Sequence, residues 1–316
     1  MRDIDVLVVC PNRPEQMQML DETYRLHRYD LASPEEKEVM LREVASKISA
    51  VVTTHGGGFE SSLLDRLPNL EIVTSSSVGL DTICVDACRA RGIPVTNTPD
   101  VLTDDVADMA MMLLLATLRR LLPGVDWIKS GNWVEKGMMP LNTSLKGKKL
   151  GIAGLGRIGK AIARRAEASG MVVSYYGRRP QPDVAYPYYD DLLSLAQDVD
   201  VLAPVVPGGS ETEGMISREV LSAIGPKGYF LNISRGSVVD EGALVELLQA
   251  GALAGAGLDV FVDEPHVPAA LLDMDNAVLQ PHCASGTVET RGAMAQLVVD
   301  NLAAHFAGRP LLTPVG

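Results

Sequence analysis

The stretch Lys148-Lys149-Leu150-Gly151-Ile152-Ala153-Gly154-Leu155-Gly156-Arg157-Ile158-Gly159 constrains this chain more than any other. A short apolar run leads into Gly154-x-Gly156-x-x-Gly159, and a helical pattern through Ala161, Ile162 and Ala166 follows. Strand, glycines and helix in that order make the turn that a dinucleotide needs. Gly154 permits a tight turn, Gly156 lets the backbone come close to a pyrophosphate, and Gly159 lets the helix pack on its strand. The pyrophosphate then lies at a helix N-terminus, where spare N–H groups and the dipole favour an anion. A bare glycine triplet also serves merely structural turns, so the flanking strand and helix carry the argument.

The pattern around this turn is α/β. Residues 5–10, 50–53, 71–75 and 93–96 read as buried strands, with helical stretches between them and a helix after Pro14. Alternation of apolar strands with helices argues a parallel sheet covered on both faces. Ligands of such sheets bind beyond the C-terminal strand ends, here at residues 56–58 and 77–79. A long helix is expected over 103–121, apolar nearly all round, which favours a subunit interface over a large core. Residues 127–146 read as irregular. After the glycine turn, strands at 171–176, 199–206, 229–233, 255–261 and 277–279 complete a doubly wound nucleotide domain, and a last helix covers 288–306.

Composition excludes some classes of function. The 316 residues suffice for two domains with cores of their own. A net charge of -12, with no Lys/Arg-rich run, argues against a nucleic-acid partner. An acidic protein can still hold an anion where local cations gather. The longest strongly apolar helical run, 109–118, is too short to span a bilayer, and Met1-Arg2-Asp3-Ile4-Asp5 has no signal-peptide pattern. Cys84 and Cys88 could share a helix face but lack further ligands for zinc, so no metal site is expected. Cys10, Cys84, Cys88 and Cys283 therefore read as packing cysteines of a reduced, cytoplasmic protein.

Four positions at strand ends could carry chemistry or select a ligand. The second strand of a nucleotide domain usually ends in an acid that holds the ribose of NAD. Here residues 171–177 run into Arg178-Arg179, and no acid appears before Asp183. Two guanidinium groups there suit a 2′-phosphate, and so NADP; otherwise they are solvated loop cations. Arg235, Glu264 and His282 close three further strands. A ketone reductase needs a proton donor, a cation for the substrate carboxylate and an acid to orient the donor, which His282, Arg235 and Glu264 could supply. Taken singly, each has an ordinary structural reading. His27, His55, His266 and His305 take that reading by default, although His55 and His266 lie near the expected site loops.

Over nearly its whole length the chain resembles the D-isomer-specific 2-hydroxyacid dehydrogenases. The motifs are residues 154–159, residues 232–236 with Val238-Val239-Asp240, Gly257-Leu258-Asp259-Val260-Phe261 with Glu264-Pro265, and residues 282–286. Ser77-Val78-Gly79-Leu80-Asp81, Asn97-Thr98-Pro99-Asp100, residues 285–291 and the tail 310–314 are similar to the glyoxylate, hydroxypyruvate and hydroxyphenylpyruvate reductase branch. The resemblance implies that Arg235 binds the carboxylate and carbonyl of a 2-keto acid, that His282 protonates the carbonyl oxygen, and that Glu264 pairs with His282. It implies that the backbone of Val78 and Gly79 holds the carboxylate and that Leu155, Gly156, Arg157 and Ile158 cradle the pyrophosphate. Val106, Val206, Pro207, Ile233, Asp259 and Ser285 would line the adenine or nicotinamide sites, with Arg235 and His282 beside them. Many relatives carry a histidine where this chain has Val206, and position 283 is usually small or aliphatic rather than cysteine.

The expectation is a pair of doubly wound parallel-sheet domains: a flavodoxin-like substrate domain of residues 1–98 and 285–316, and a Rossmann cofactor domain of residues 99–284, with a cleft between them that closes on the substrate. The expected activity is NADPH-dependent reduction of small 2-keto acids, glyoxylate and hydroxypyruvate, to D-2-hydroxy acids by a cytoplasmic homodimer. Alternatives are a hydroxyphenylpyruvate or 2-ketogluconate reductase, a phosphoglycerate dehydrogenase-like enzyme, and a nucleotide-sensing corepressor of the same fold. Many phosphoglycerate dehydrogenases prefer NAD and add a regulatory domain, whereas this chain carries the arginine pair and stops at Gly316.

Overall fold

A computed structural model describes residues 3–316. The chain forms two compact units: the part up to Leu102 together with Gly286–Gly316, and Thr103–Ser285.

The first unit is built on a five-stranded parallel sheet, in the order β2-β1-β3-β4-β5. Its elements in chain order are β1 (Asp5–Val8), α1 (Pro14–Thr23), β2 (Arg25–Arg28), α2 (Pro34–Val44), β3 (Ile48–Thr53), α3 (Ser61–Leu64), β4 (Ile72–Ser75), α4 (Val85–Ala90) and β5 (Val95–Thr96). Alternate residues of one strand serve opposite faces. Leu7, Val51 and Val73 pack with Leu41, Leu64 and Leu67 on one side. Val6, Ala50, Val52 and Ile72 pack with Leu20 of α1 and with Val298 and Leu302 on the other. Burial on both faces explains why these strands read as continuous apolar runs. The edge strand β2, Arg-Leu-His-Arg, escapes the periodicity argument because edge strands tolerate charge.

The second unit holds a seven-stranded parallel sheet, in the order β12-β11-β10-β9-β6-β7-β8. It runs through α5 (Thr103–Leu118), α6 (Leu121–Lys129), α7 (Asn132–Lys136), β6 (Lys149–Ala153), α8 (Arg157–Ala168), β7 (Val172–Tyr176), β8 (Tyr188–Tyr189), α9 (Leu192–Asp198), β9 (Val201–Pro204), α10 (Arg218–Ile224), β10 (Tyr229–Asn232), α11 (Glu241–Gln249), β11 (Gly255–Leu258), α12 (Ala269–Leu272) and β12 (Ala277–Leu279). The chain then returns to the first unit as α13 (Val288–Phe306). The sheet grows outward in one direction from β6 to β8 and in the other from β9 to β12. The reversal of direction falls between β6 and β9, where doubly wound sheets open their ligand crevice. The glycine turn follows β6 directly.

The expected single helix over 103–121 is two helices. α5 ends at Leu118, Arg120 takes a left-handed conformation (φ 49°), and α6 starts at Leu121. A left-handed non-glycine residue cannot continue an α-helix. Ala110, Leu113, Leu114, Thr117 and Leu118 are buried, and α5 packs on α8 and β11 of its own unit. Only Met112 and Leu115 remain substantially exposed on its apolar surface. The core of the unit thus accounts for most of that apolar character. The region expected to be irregular holds the end of α6 and all of α7. Exposed apolar side chains gather instead over α6, α7 and the residue pair after it: Leu121, Leu122, Val125, Ile128, Trp133, Val134 and Met138. Among the described residues, no helix is long and apolar enough to cross a membrane.

Candidate active site

The glycine turn is shaped by close approach. Gly154 has φ 105°, a conformation that L side chains rarely adopt, and a Cβ there would strike the carbonyl oxygen of Val205. A Cβ on Gly159 would strike the carbonyl oxygen of Gly154, so the third glycine seats α8 against the turn. Gly156 caps α8 and is exposed, with open space where a Cβ would stand. The first N–H groups of α8 have no partner within the helix, which suits a diphosphate in that space. Arg178 and Arg179 follow β7 and are exposed, and neither pairs with a carboxylate among the described residues. Their loop is tied to the turn, since Gln181 Nε2 donates to the Leu155 carbonyl at 2.7 Å. The residues present therefore fit a dinucleotide, with cations available for a ribose phosphate.

Three strand-end loops of the same unit carry Arg235, Glu264 and His282. After β10, Asn232 Oδ1 accepts from the N–H and the hydroxyl of Ser234 (3.0 and 2.9 Å), and its Nδ2 donates to the Arg235 carbonyl (2.9 Å). That buried asparagine fixes the turn from which the half-buried Arg235 projects. Gly236 lies against the carbonyl of Phe261, leaving no room for a side chain. Two consecutive N–H groups of the adjoining loop are each held by an acid: Phe261 donates to Glu264 Oε1 and Val262 to Glu241 Oε2, both at 3.0 Å. Burial pushes the Glu241 carboxyl up; the Val262 N–H opposes this, and the Asp263 and Glu264 charges add to it.

Glu264 Oε2 stands 2.6 Å from His282 Nδ1, and about a third of each side chain is exposed. His282 has φ 49°, again left-handed. The conformation is held by Asp259. Its carbonyl accepts the His282 N–H (2.8 Å), and its carboxylate accepts the N–H groups of Cys283 (2.8 Å) and Ala284 (2.9 Å). Asp259 is fully buried, and burial raises its carboxyl above the usual range, against the pull of those two N–H groups and His282. Its carboxylate oxygens are thus engaged with the loop behind His282.

The first unit has its own strand-end loops. Val78 and Gly79 follow β4 and are half-buried. Asn97 Nδ2 donates to the Val78 carbonyl (3.2 Å), and the Thr98 N–H donates to the Ser77 carbonyl (3.0 Å). The loop after β3 fastens the other side through His55, a residue with a default structural reading despite its place near the expected site loops. His55 bonds Ser77, Asp81 and Thr82, and no motif or periodicity marks it. The remaining histidines pair with acids elsewhere: His27 with Asp5, His266 with Asp263 and His305 with Glu71.

Residues 111–284 match the family model for the NAD binding domain of D-isomer specific 2-hydroxyacid dehydrogenases. The chain belongs to that family. Glyoxylate/hydroxypyruvate reductase A of Arabidopsis thaliana is 50% identical to the dehydrogenase over 315 residues, covering 100% of both chains. Hydroxyphenylpyruvate reductase of Plectranthus scutellarioides is 49% identical, also with 100% of both chains covered. A solved structure of the NADPH-dependent glyoxylate/hydroxypyruvate reductase of Sinorhizobium meliloti, with NADP and malonate, superposes with a TM-score of 0.90. It is 43% identical and covers 99% of this chain and 97% of its own.

Other expected contacts in the dehydrogenase sit at the same strand ends. Ile233 is buried beyond β10, Val206 is half-buried and Pro207 exposed beyond β9, and Ser285 closes the His282 loop. Val106 is buried on α5. Cys283 Sγ donates to Gln280 Oε1 (3.3 Å), a packing role. Cys84 caps α4 and Cys88 lies buried within it, where burial and the neighbouring Cys84 push the Cys88 thiol up to about 12. Among the described residues, no group of three or more His, Cys, Asp or Glu side chains is arranged to hold a metal.

Proposed function

We propose that the dehydrogenase reduces small 2-keto acids, glyoxylate and hydroxypyruvate foremost, to D-2-hydroxy acids with NADPH. The observation that carries this reading is the 2.6 Å contact of His282 Nδ1 with Glu264, in the unit that also presents Arg235 and the glycine turn. Bound NADPH supplies the hydride. Arg235 takes the substrate carboxylate and polarises the carbonyl, while the backbone of Val78 and Gly79 receives the carboxylate. Glu264 accepts the hydrogen bond of the Nδ1 proton and orients the ring, so proton transfer to the carbonyl oxygen falls to Nε2. Gly154, Leu155, Gly156, Arg157, Ile158 and Gly159 take the diphosphate, and Arg178 with Arg179 takes the 2′-phosphate. The relatives named for glyoxylate and hydroxypyruvate, and the NADP-bound Sinorhizobium structure, support the choice of substrate and cofactor. The exposed apolar side chains of α6 and α7 support a homodimer, which we place in the cytoplasm.

The test is oxidation of NADPH with each keto acid, for wild type and His282→Ala. Turnover with hydroxypyruvate is expected, falling by roughly 10²–10⁴-fold in the variant, as when a general acid is removed. Near-normal turnover in His282→Ala would end the general-acid assignment.

A further inference from the structure

We infer that His55 is a positioning residue for the substrate carboxylate, acting through the Ser77–Thr82 loop; this rests on the proposed role of Val78 and Gly79. One residue makes three bonds into that loop. The His55 N–H donates to Ser77 Oγ (2.7 Å), Thr82 Oγ1 donates to the His55 carbonyl (2.7 Å), and His55 Nε2 meets Asp81 Oδ2 (2.8 Å). The bonded positions 77, 81 and 82 bracket Val78 and Gly79. The loop has no regular structure to set the direction of its N–H groups. A backbone seat for an anion works only if those N–H groups converge, which needs placement within about 0.5 Å and 10–20°. Asn97 and Thr98 hold the loop from the β5 side, and His55 holds it from the β3 side.

A histidine that merely completes a core would be enclosed. Here about a fifth of the side chain is exposed, as is about a fifth of that of its partner Asp81. The three residues after His55 are Gly56, Gly57 and Gly58, which add no side chains around it. The ring and backbone of His55 thus form a brace at the open end of the sheet, where ligands of such sheets bind.

The experiment compares His55→Ala, His55→Gln and wild type in steady-state reduction of hydroxypyruvate, with oxalate as a carboxylate probe for competitive inhibition. His55→Ala is expected to raise KM for the keto acid and Ki for oxalate by about tenfold, the loss of roughly one well-placed hydrogen bond, with kcat and KM for NADPH within about twofold. His55→Gln, which keeps a donor for Asp81, is expected to recover most of the affinity. An unmoved KM, or equal rises for keto acid and NADPH, would overturn the inference. If His55→Ala does not fold, the same split in Asp81→Ala decides. Wild type that reduces no 2-keto acid would instead defeat the underlying reading, so the two failures are distinct.

Discussion

Replacing Asp259 with asparagine tests how the His282 loop is held. The carboxylate accepts two backbone N–H groups in a fully buried setting. An amide of the same shape offers one oxygen and one NH₂, so one N–H keeps a neutral acceptor and the other faces a donor. The orphaned buried N–H costs roughly 1–3 kcal/mol, and the change of the other bond from charged to neutral costs about 1 kcal/mol more. Opposing this, the variant no longer buries a charge, and burial of that charge is unfavourable, which pushes the Asp259 carboxyl up. The net loss is about 2 kcal/mol, which lowers the Tm of a unit of this size by roughly 4–8 °C. The consequence for turnover follows from His282 itself. Its left-handed backbone costs about 1–2 kcal/mol, offset by the bonds to Asp259. With one bond gone, the loop can relax and carry the imidazole away from Glu264, and kcat is expected to fall by about tenfold or more. Calorimetry gives the first number and NADPH oxidation with hydroxypyruvate the second. A Tm within about 1 °C of wild type together with kcat within about twofold would refute the reasoning.

Three further expectations are open to simple measurement. The double change Arg178→Ala and Arg179→Ala should raise KM for NADPH by roughly tenfold or more while leaving KM for NADH and kcat nearly unchanged, since both side chains are exposed and salt screens them; equal weakening of both cofactors would show that these arginines do not read the phosphate. The bond from Lys149, and then the Tyr189 hydroxyl, hold the Asp198 carboxyl below its usual range, so its contribution to stability is present above about pH 3.9 and is lost as pH falls through the native value. Asp198→Asn should therefore narrow its stability deficit relative to wild type in acid, as followed by urea unfolding across pH, and a constant deficit would contradict the assignment. Light scattering at micromolar concentration should report a dimer, and Ile128→Glu with Val134→Glu, both on the exposed apolar face of α6 and α7, should shift it toward monomer; a wild-type monomer would refute the homodimer.

By itself the sequence determined the class of fold and marked the candidate residues for chemistry. Apolar strands alternating with helices specify a parallel sheet buried on both faces. The glycine turn, Arg235, Glu264 and His282 are legible because each lies in a local motif next to a strand end. What only the tertiary structure decided is how those motifs are held. The tie of His55 to the next loop appears in bonds to Ser77, Asp81 and Thr82, which lie on the loop of the neighbouring strand. The role of Asp259 appears in bonds to Cys283 and Ala284, on the loop after the next strand in the sheet. The break after Leu118 turns on the left-handed Arg120, which interrupts a helical apolar spacing that the sequence carries on to Leu121. Hydrophobic period reports which face of an element is buried. It carries no information about which two loops the strand order sets side by side, and it was that placement that gave His55 and Asp259 their partners.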